Sequence, residues 1–265
     1  MKKTLIFACS ALLFLSSCSI KSDNGFPMNF EAKEGTGMIT NKEFAGNFDE
    51  IKVSQSIKAE IVKSNTEKVI LSAPSDIIND VLVENENGKL FIHFKRGLNI
   101  SSRNVSVKIF AKDFTRVEAN SSASISIRDK FTQDKTAVKV GSSASINGNL
   151  EANQLSLDVS SSGSFSGKIW AVDLEAEVSS SGDIVVSGET KNANLHASSS
   201  GTLDARKVTA VNAEIEASSS GSASIMVKNQ LAANASSSGD ITVKRAGNLN
   251  IISQNKSSGG SISIQ

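Results

Sequence analysis

Eight serine pairs, opening at Ser121, Ser142, Ser161, Ser180, Ser199, Ser219, Ser237 and Ser257, supply the hydroxyls from which a nucleophile could be built. A serine attacks only when a positioned base takes its proton, and the chain holds two histidines, His93 and His196. His93 falls in the run "LFIHF" and is expected to face solvent; His196 is spaced to stand between Glu177 and Glu216 of neighbouring repeats. A charge-complementary surface ladder suits His196 better than a metal ligand or an acid–base group. The motif "SSGD" places Asp183 and Asp240 after two of the serine pairs, three repeats apart. Calcium needs six or more oxygens, so one carboxylate per distant corner does not hold it, and a corner aspartate accepting backbone bonds is the better reading. No catalytic residue, metal site or cofactor site is therefore assigned.

The elements that carry these serines are repeats. Successive pairs are separated by 18 to 21 residues, and the segments between them keep a fixed pattern. Apolar residues predominate two, four and six places before each pair, as in Leu155, Leu157 and Val159, or Leu174, Ala176 and Val178. Alternation resumes after the turn, as in Ile184 and Val186 or Ile241 and Val243. Period two on both sides of a turn predicts two strands per repeat. A unit of this length is too short for a propeller blade, so the expected fold is all-β: a parallel β-helix or β-solenoid with coils of about 20 residues.

Gly163, Gly182, Gly201, Gly221, Gly239 and Gly259 follow the serines and are expected to serve the corners, where strained dihedrals or close packing require the absence of a Cβ. Ala123 and Ala144 hold the same place in the first two corners. Their presence leaves open which of the two needs the glycine meets. The serine hydroxyls are expected to bond from coil to coil in ladders. Three places before each pair, the column Glu118, Lys139, Asp158, Glu177, His196, Glu216, Asn234, Gln254 sets like charges side by side only at Asp158 and Glu177.

Residues 43–120 lack the repeat and read as a strand-rich opening that begins or caps the solenoid, followed by the repeat body at 121–265. Strands are predicted at "VILSA", "VLVE", "LFIHF" and "VSVKIF", with a hairpin turn at Asn87 and Gly88 of "ENENGK".

Composition excludes some partners. The balance of 28 basic and 27 acidic residues includes no basic run suited to a phosphate backbone, so nucleic acid is not expected. Aromatics make up 5% of the chain, with one tryptophan and no tyrosine, and coil lengths are nearly constant. Long groove-building loops and sugar-binding aromatics are thus scarce, which disfavours a polysaccharide-cleaving β-helix enzyme.

Residues 1–17 have the make-up of an export signal: Lys2 and Lys3, then an apolar run from Leu5 to Leu15 that is too short to span a bilayer. "LSSC", ending at Cys18, looks like the lipobox of bacterial lipoproteins, with Cys18 the residue that receives lipid. Acyl chains contribute about 0.8 kcal/mol per buried methylene, so the mature chain would be held to a membrane through Cys18. Residues 18–42, polar and interrupted by Gly25, Pro27, Gly35 and Gly37, read as a tether.

The stretch "EFAGNFDEIKVSQSIKAEIVKSNTEKVILSAPSDIINDVLVENENGKLFIHF", residues 43–94, followed by the recurring "SSAS" and "SSSG" corners and by "SINGNL" at 145–150, resembles the putative auto-transporter adhesin, head GIN domain family. The resemblance implies an all-β, solenoid-like envelope or surface protein and carries over no catalytic residue. Together with the anchor it leads to the expectation of a non-enzymatic, adhesin-like binding module on the outer membrane, meeting glycan, matrix or an envelope protein. The alternative is a structural or scaffold lipoprotein facing the periplasm.

Overall fold

The computed structural model describes residues 32–265. The expected signal segment 1–17, the lipid acceptor Cys18 and the tether up to residue 31 lie outside the described residues. The first strands are short: β1 (Ile39–Ala45), β2 (Glu50–Val53), β3 (Lys58–Lys63), β4 (Lys68–Pro74), β5 (Val81–Glu86), β6 (Lys89–Phe94), β7 (Ser106–Ala111) and β8 (Arg116–Ala119). Long strands follow at β9 (Ser124–Val140), β10 (Ser145–Val159), β11 (Ser164–Val178), β12 (Asp183–Ala197), β13 (Thr202–Ala217) and β14 (Ser222–Ala235), then β15 (Asp240–Arg245), β16 (Asn250–Lys256) and β17 (Ser261–Ile264).

All the strands belong to one hydrogen-bonded sheet wound into a β-solenoid. From β9 onward each coil pairs in parallel with the next, so that Leu155, Leu174, Ala193, Ala213 and Leu231 stack in register. From β9 to β14 the two strands expected in each repeat are continuous in the structure. In β11, Phe165, Ile169 and Ala171 face the core at one parity, and Leu174, Ala176 and Val178 at the other. The change of parity at Val172–Asp173 turns the chain without ending the strand. Serine corners then join one long strand to the next.

The core is filled by the residues that alternation marks. Large side chains dominate its early part, with Phe114, Phe131 and Phe165 fully buried, whereas Ala193, Ala197, Ala205, Ala210, Ala213 and Ala217 fill much of the later coils.

The opening region both begins and caps the solenoid. β2 and β3 form a coil whose corner, Ser54 to Ile57, stacks on Ser121 through a bond from the Ser56 amide to the Ser121 carbonyl (2.8 Å). β6 lies beside β2, and β7 beside β3, on the side opposite β8 and β9. The coil made by β6 and β7 therefore lies outside the coil made by β2 and β3, although it comes later in the chain. Antiparallel strands complete this end, with β5 on β6 and β4 on β7. The β5–β6 hairpin turns at Asn87 and Gly88, both at positive φ, as "ENENGK" predicts.

The folded body starts earlier than the tether expectation placed it. β1 pairs with β4 from Ile39↔Pro74 to Ala45↔Lys68, and Lys33 bridges to Ile100. β1 is an exposed edge strand, so its side chains carry no apolar alternation by which the sequence could reveal it.

Candidate binding groove

Each serine corner is built on two consecutive left-handed residues. In the coil of β11 these are Ser161 (φ 50°) and Ser162 (φ 59°), and a like pair recurs at Gln55 and Ser56 and at the serine corners up to Ser258 and Gly259. Left-handed backbone costs an L-residue roughly 1–2 kcal/mol, so the serines carry the strain expected of the glycines. Among the glycines assigned to corners, Gly163, Gly182, Gly201, Gly221 and Gly239 serve close approach instead. A Cβ on Gly163 would lie 2.8 Å from the Val140 carbonyl oxygen, and one on Gly239 would lie 2.3 Å from that of Ala217. Ala123 and Ala144 hold the same place, buried, in the first two serine corners. Gly259 alone meets the dihedral expectation: it is the second left-handed residue of its corner (φ 80°), and Gly260 takes the close-approach place.

The ladder expected of serine hydroxyls is made by backbone. Ser143 donates its amide to the Ser161 carbonyl (3.0 Å), Ser162 to Ser180 (3.1 Å) and Ser181 to Ser199 (3.1 Å), and the pattern continues to Ser258. Because the left-handed pair turns its shared peptide unit along the stack, these groups bond to one another and leave the hydroxyls exposed.

Behind the corner, the outer face of the second strand half carries a groove of about 750 Å³. Two outward columns line it. One runs Lys135, Gln154, Asp173, Asn192, Asn212 and Gln230; the other runs Arg116, Ala137, Ser156, Glu175, Asn194, Glu214 and Ala232. With coils about 4.8 Å apart, the second column extends about 29 Å along the stack. Its cationic end is Arg116 and Lys135, and its middle is acidic at Asp173, Glu175 and Glu214.

The two columns differ in what their side chains already do. Asn192 Nδ2 donates to Asp173 Oδ1 (2.8 Å), Asn212 Nδ2 to Asn192 Oδ1 (3.0 Å) and Asn229 Nδ2 to Asn212 Oδ1 (3.2 Å), an amide ladder that holds coils together. In the second column, by contrast, Ser156, Glu175, Asn194 and Glu214 form no side-chain hydrogen bond among the described residues. These four polar groups, one per coil, are free to meet a ligand lying along the groove. They stand five places before each serine pair, where polar residues recur in the sequence beside the charged column three places before.

That column is in the predicted register from Glu118 to Asn234, with Asn255 rather than Gln254 as its last member, because the final corner is shifted by one residue. Lys139 pairs with Asp158 (3.1 Å) and His196 with Glu216 (3.5 Å). His93, expected to face solvent, is a correction. It is 8% exposed, with Nδ1 2.7 Å from the Phe94 carbonyl and Nε2 3.0 Å from Glu84. Its ring stacks on Phe91, which the alternation of "LFIHF" did not reveal, since Ile92, His93 and Phe94 are buried consecutively. Asp183 and Asp240 stand in one outward column three coils apart. Among the described residues no group of three or more His, Cys, Asp or Glu side chains could hold a metal ion, and no helix is long and apolar enough to cross a membrane.

The strongest electrostatic perturbation lies outside the groove. Hydrogen bonds from Arg206 hold the Asp204 carboxyl down at about 2, against the opposing effect of burial.

Residues 47–247 match the family model described as putative auto-transporter adhesin, head GIN domain. Among solved structures, a protein from Parabacteroides distasonis named a putative lipid binding protein is 24% identical, with a TM-score of 0.78 over 89% of this chain and 100% of that one. A putative adhesin from the same organism is 21% identical (TM-score 0.81, 89% and 100% covered), and one from Parabacteroides merdae is 19% identical (TM-score 0.76, 88% and 99% covered). At these identities the likeness is one of fold. No curated protein matches the sequence.

Proposed function

We propose, for a chain that belongs to the putative auto-transporter adhesin, head GIN domain family, a role as a lipid-anchored, non-enzymatic binding module exposed at the cell surface. The groove would seat an extended polymer, a glycan or matrix chain, along the stack of coils. The observation that carries this reading is the column Ser156, Glu175, Asn194 and Glu214, unpartnered and repeated coil by coil. A polymer with recurring hydroxyls or amides can meet such a column in register, and many weak contacts add to useful avidity. The anchor at Cys18 would keep the coils on the envelope.

The reading is tested on cells. Protease treatment of intact cells, followed with an antibody to the coils, is expected to digest the protein; protection until lysis would overturn surface exposure in favour of a periplasm-facing scaffold. With the purified protein, Glu175→Lys combined with Glu214→Lys is expected to abolish capture on polymer-coated surfaces while leaving the circular dichroism spectrum unchanged. Undiminished capture by that variant would remove the groove from the reading.

A further inference from the structure

Trp170 is the chain's single tryptophan, and it stands on the outer surface of β11 with 45% of its area exposed, across the bend from the groove. The core beneath it is already filled by Ile169 and Ala171. The indole therefore leaves apolar surface in water, at a position where every other coil places a smaller or polar side chain: Glu151, Glu189, Thr209 and Met226. A tryptophan that stands outside the core with nearly half of its area exposed is the kind of residue that anchors a ligand.

Its surroundings narrow the ligand. Glu151 and Glu189 flank it in register on the two neighbouring coils, each about 4.8 Å away along the stack. Glu151 is already engaged, accepting from Lys130 Nζ (3.0 Å) and Thr132 Oγ1 (3.1 Å), which hold its carboxyl below the usual carboxylate range. Glu189 is exposed, and its carboxylate has no hydrogen bond or ion pair among the described residues. Lys168, two residues earlier on the same outer face, is exposed; its charge helps to lower the Glu151 carboxyl, but its ammonium donates no hydrogen bond among the described residues. The site thus offers one apolar side chain, one unpartnered acceptor and one ammonium with donors to spare. Lys130 and Lys168 offset the two carboxylates, so no net field selects for a cation or an anion.

A neutral pyranose matches that set: its C–H face covers an aromatic plane while hydroxyls at the ring edge both donate and accept. We infer that Trp170 is a stacking platform for one ring of a neutral glycan, with Glu189 accepting from a hydroxyl and Lys168 donating to another. The inference deepens the binding-module reading by naming the ligand class. A single platform holds one ring weakly, and the polar groove beyond the bend supplies further contacts to the same polymer.

Because Trp170 is the only indole, its emission reports on this site alone. Titration with the tetrasaccharides of β-linked glucose, β-linked N-acetylglucosamine and α-linked mannose is expected to give a saturable change in emission with at least one. Glu189→Ala should weaken that affinity by about tenfold. In calorimetry, which needs no indole signal, Trp170→Ala should abolish the heat of binding. No saturable change with any of the three sugars would overturn the inference, as would a change that survives Glu189→Ala intact. An emission shift that follows protein concentration without sugar would assign Trp170 to self-association and overturn it too. Failure here with groove-dependent capture intact would leave the binding module standing without this site; sugar binding in a protein protected on intact cells would retain the site and reject surface exposure.

Discussion

The amide of Ser162 donates to the carbonyl of Ser180 at 3.1 Å, and the amide of Ser181, in the same peptide unit as that carbonyl, donates onward to Ser199. Peptide units are thereby linked head to tail down the corner, and the hydroxyls of the left-handed serines form no hydrogen bond among the described residues.

Removing those hydroxyls should cost little. Ser180→Gly with Ser181→Gly relieves left-handed strain but adds unfolded-chain entropy, and the net change is expected within about 1 kcal/mol. Gly239→Ala should cost more, about 1–3 kcal/mol, because its Cβ would enter the Ala217 carbonyl. Urea unfolding followed by circular dichroism checks both, and a larger loss from the serine pair than from the glycine would contradict the backbone account.

Asp204 gives a pH dependence whose sign is fixed. Its folded pKa, about 2, is below the ordinary 3.8, so its contribution is full above pH 3.8 and is lost as pH falls toward 2. Arg206 is largely exposed, and solvent screening limits the contribution to below about 1 kcal/mol. Comparing the stability of Asp204→Asn with the parent should show a constant small deficit at neutral pH that shrinks across this acid window. A deficit that grows on acidification would reverse the assignment.

The core thins along the stack, from phenylalanine and isoleucine to alanine, so local stability should fall in the same direction. Amide hydrogen exchange is expected to be slowest between residues 50 and 131 and faster in the coils after residue 198. Equal protection throughout would mean that the corner ladders dominate over core volume.

The proposed anchor predicts that Cys18→Ala releases the protein from membranes without loss of its folded body. Retention in the membrane fraction would count against lipidation at Cys18.

The coils after residue 121 were legible because two signals, period-two alternation and the serine spacing, agree over many repeats. Local chemistry hid the rest. "SQSI" makes the same corner as "SSSG", yet Gln55 replaces the first left-handed serine and Ile57 stands where glycine does later, so the first coil carries no visible repeat. The groove was half legible: its polar columns recur at fixed offsets, but only the fold shows which side chains are already bonded to each other. Trp170 could be seen as scarce, but its exposure depended on the parity of a strand that bends without breaking.

The arrangement at the solenoid's first end also sets an order of assembly. β2 and β3 need β6 and β7 on one side and β8 and β9 on the other, so a chain emerging N-terminus first cannot complete its first coil until about residue 127 has appeared. Until then, the edge of that coil that faces β8 and β9 is open. After that closure each coil pairs with one already formed, and the remainder can wind on as it arrives, one turn at a time. Deleting a late coil should therefore shorten the protein, whereas deleting β6 and β7 should leave the template itself unfinished.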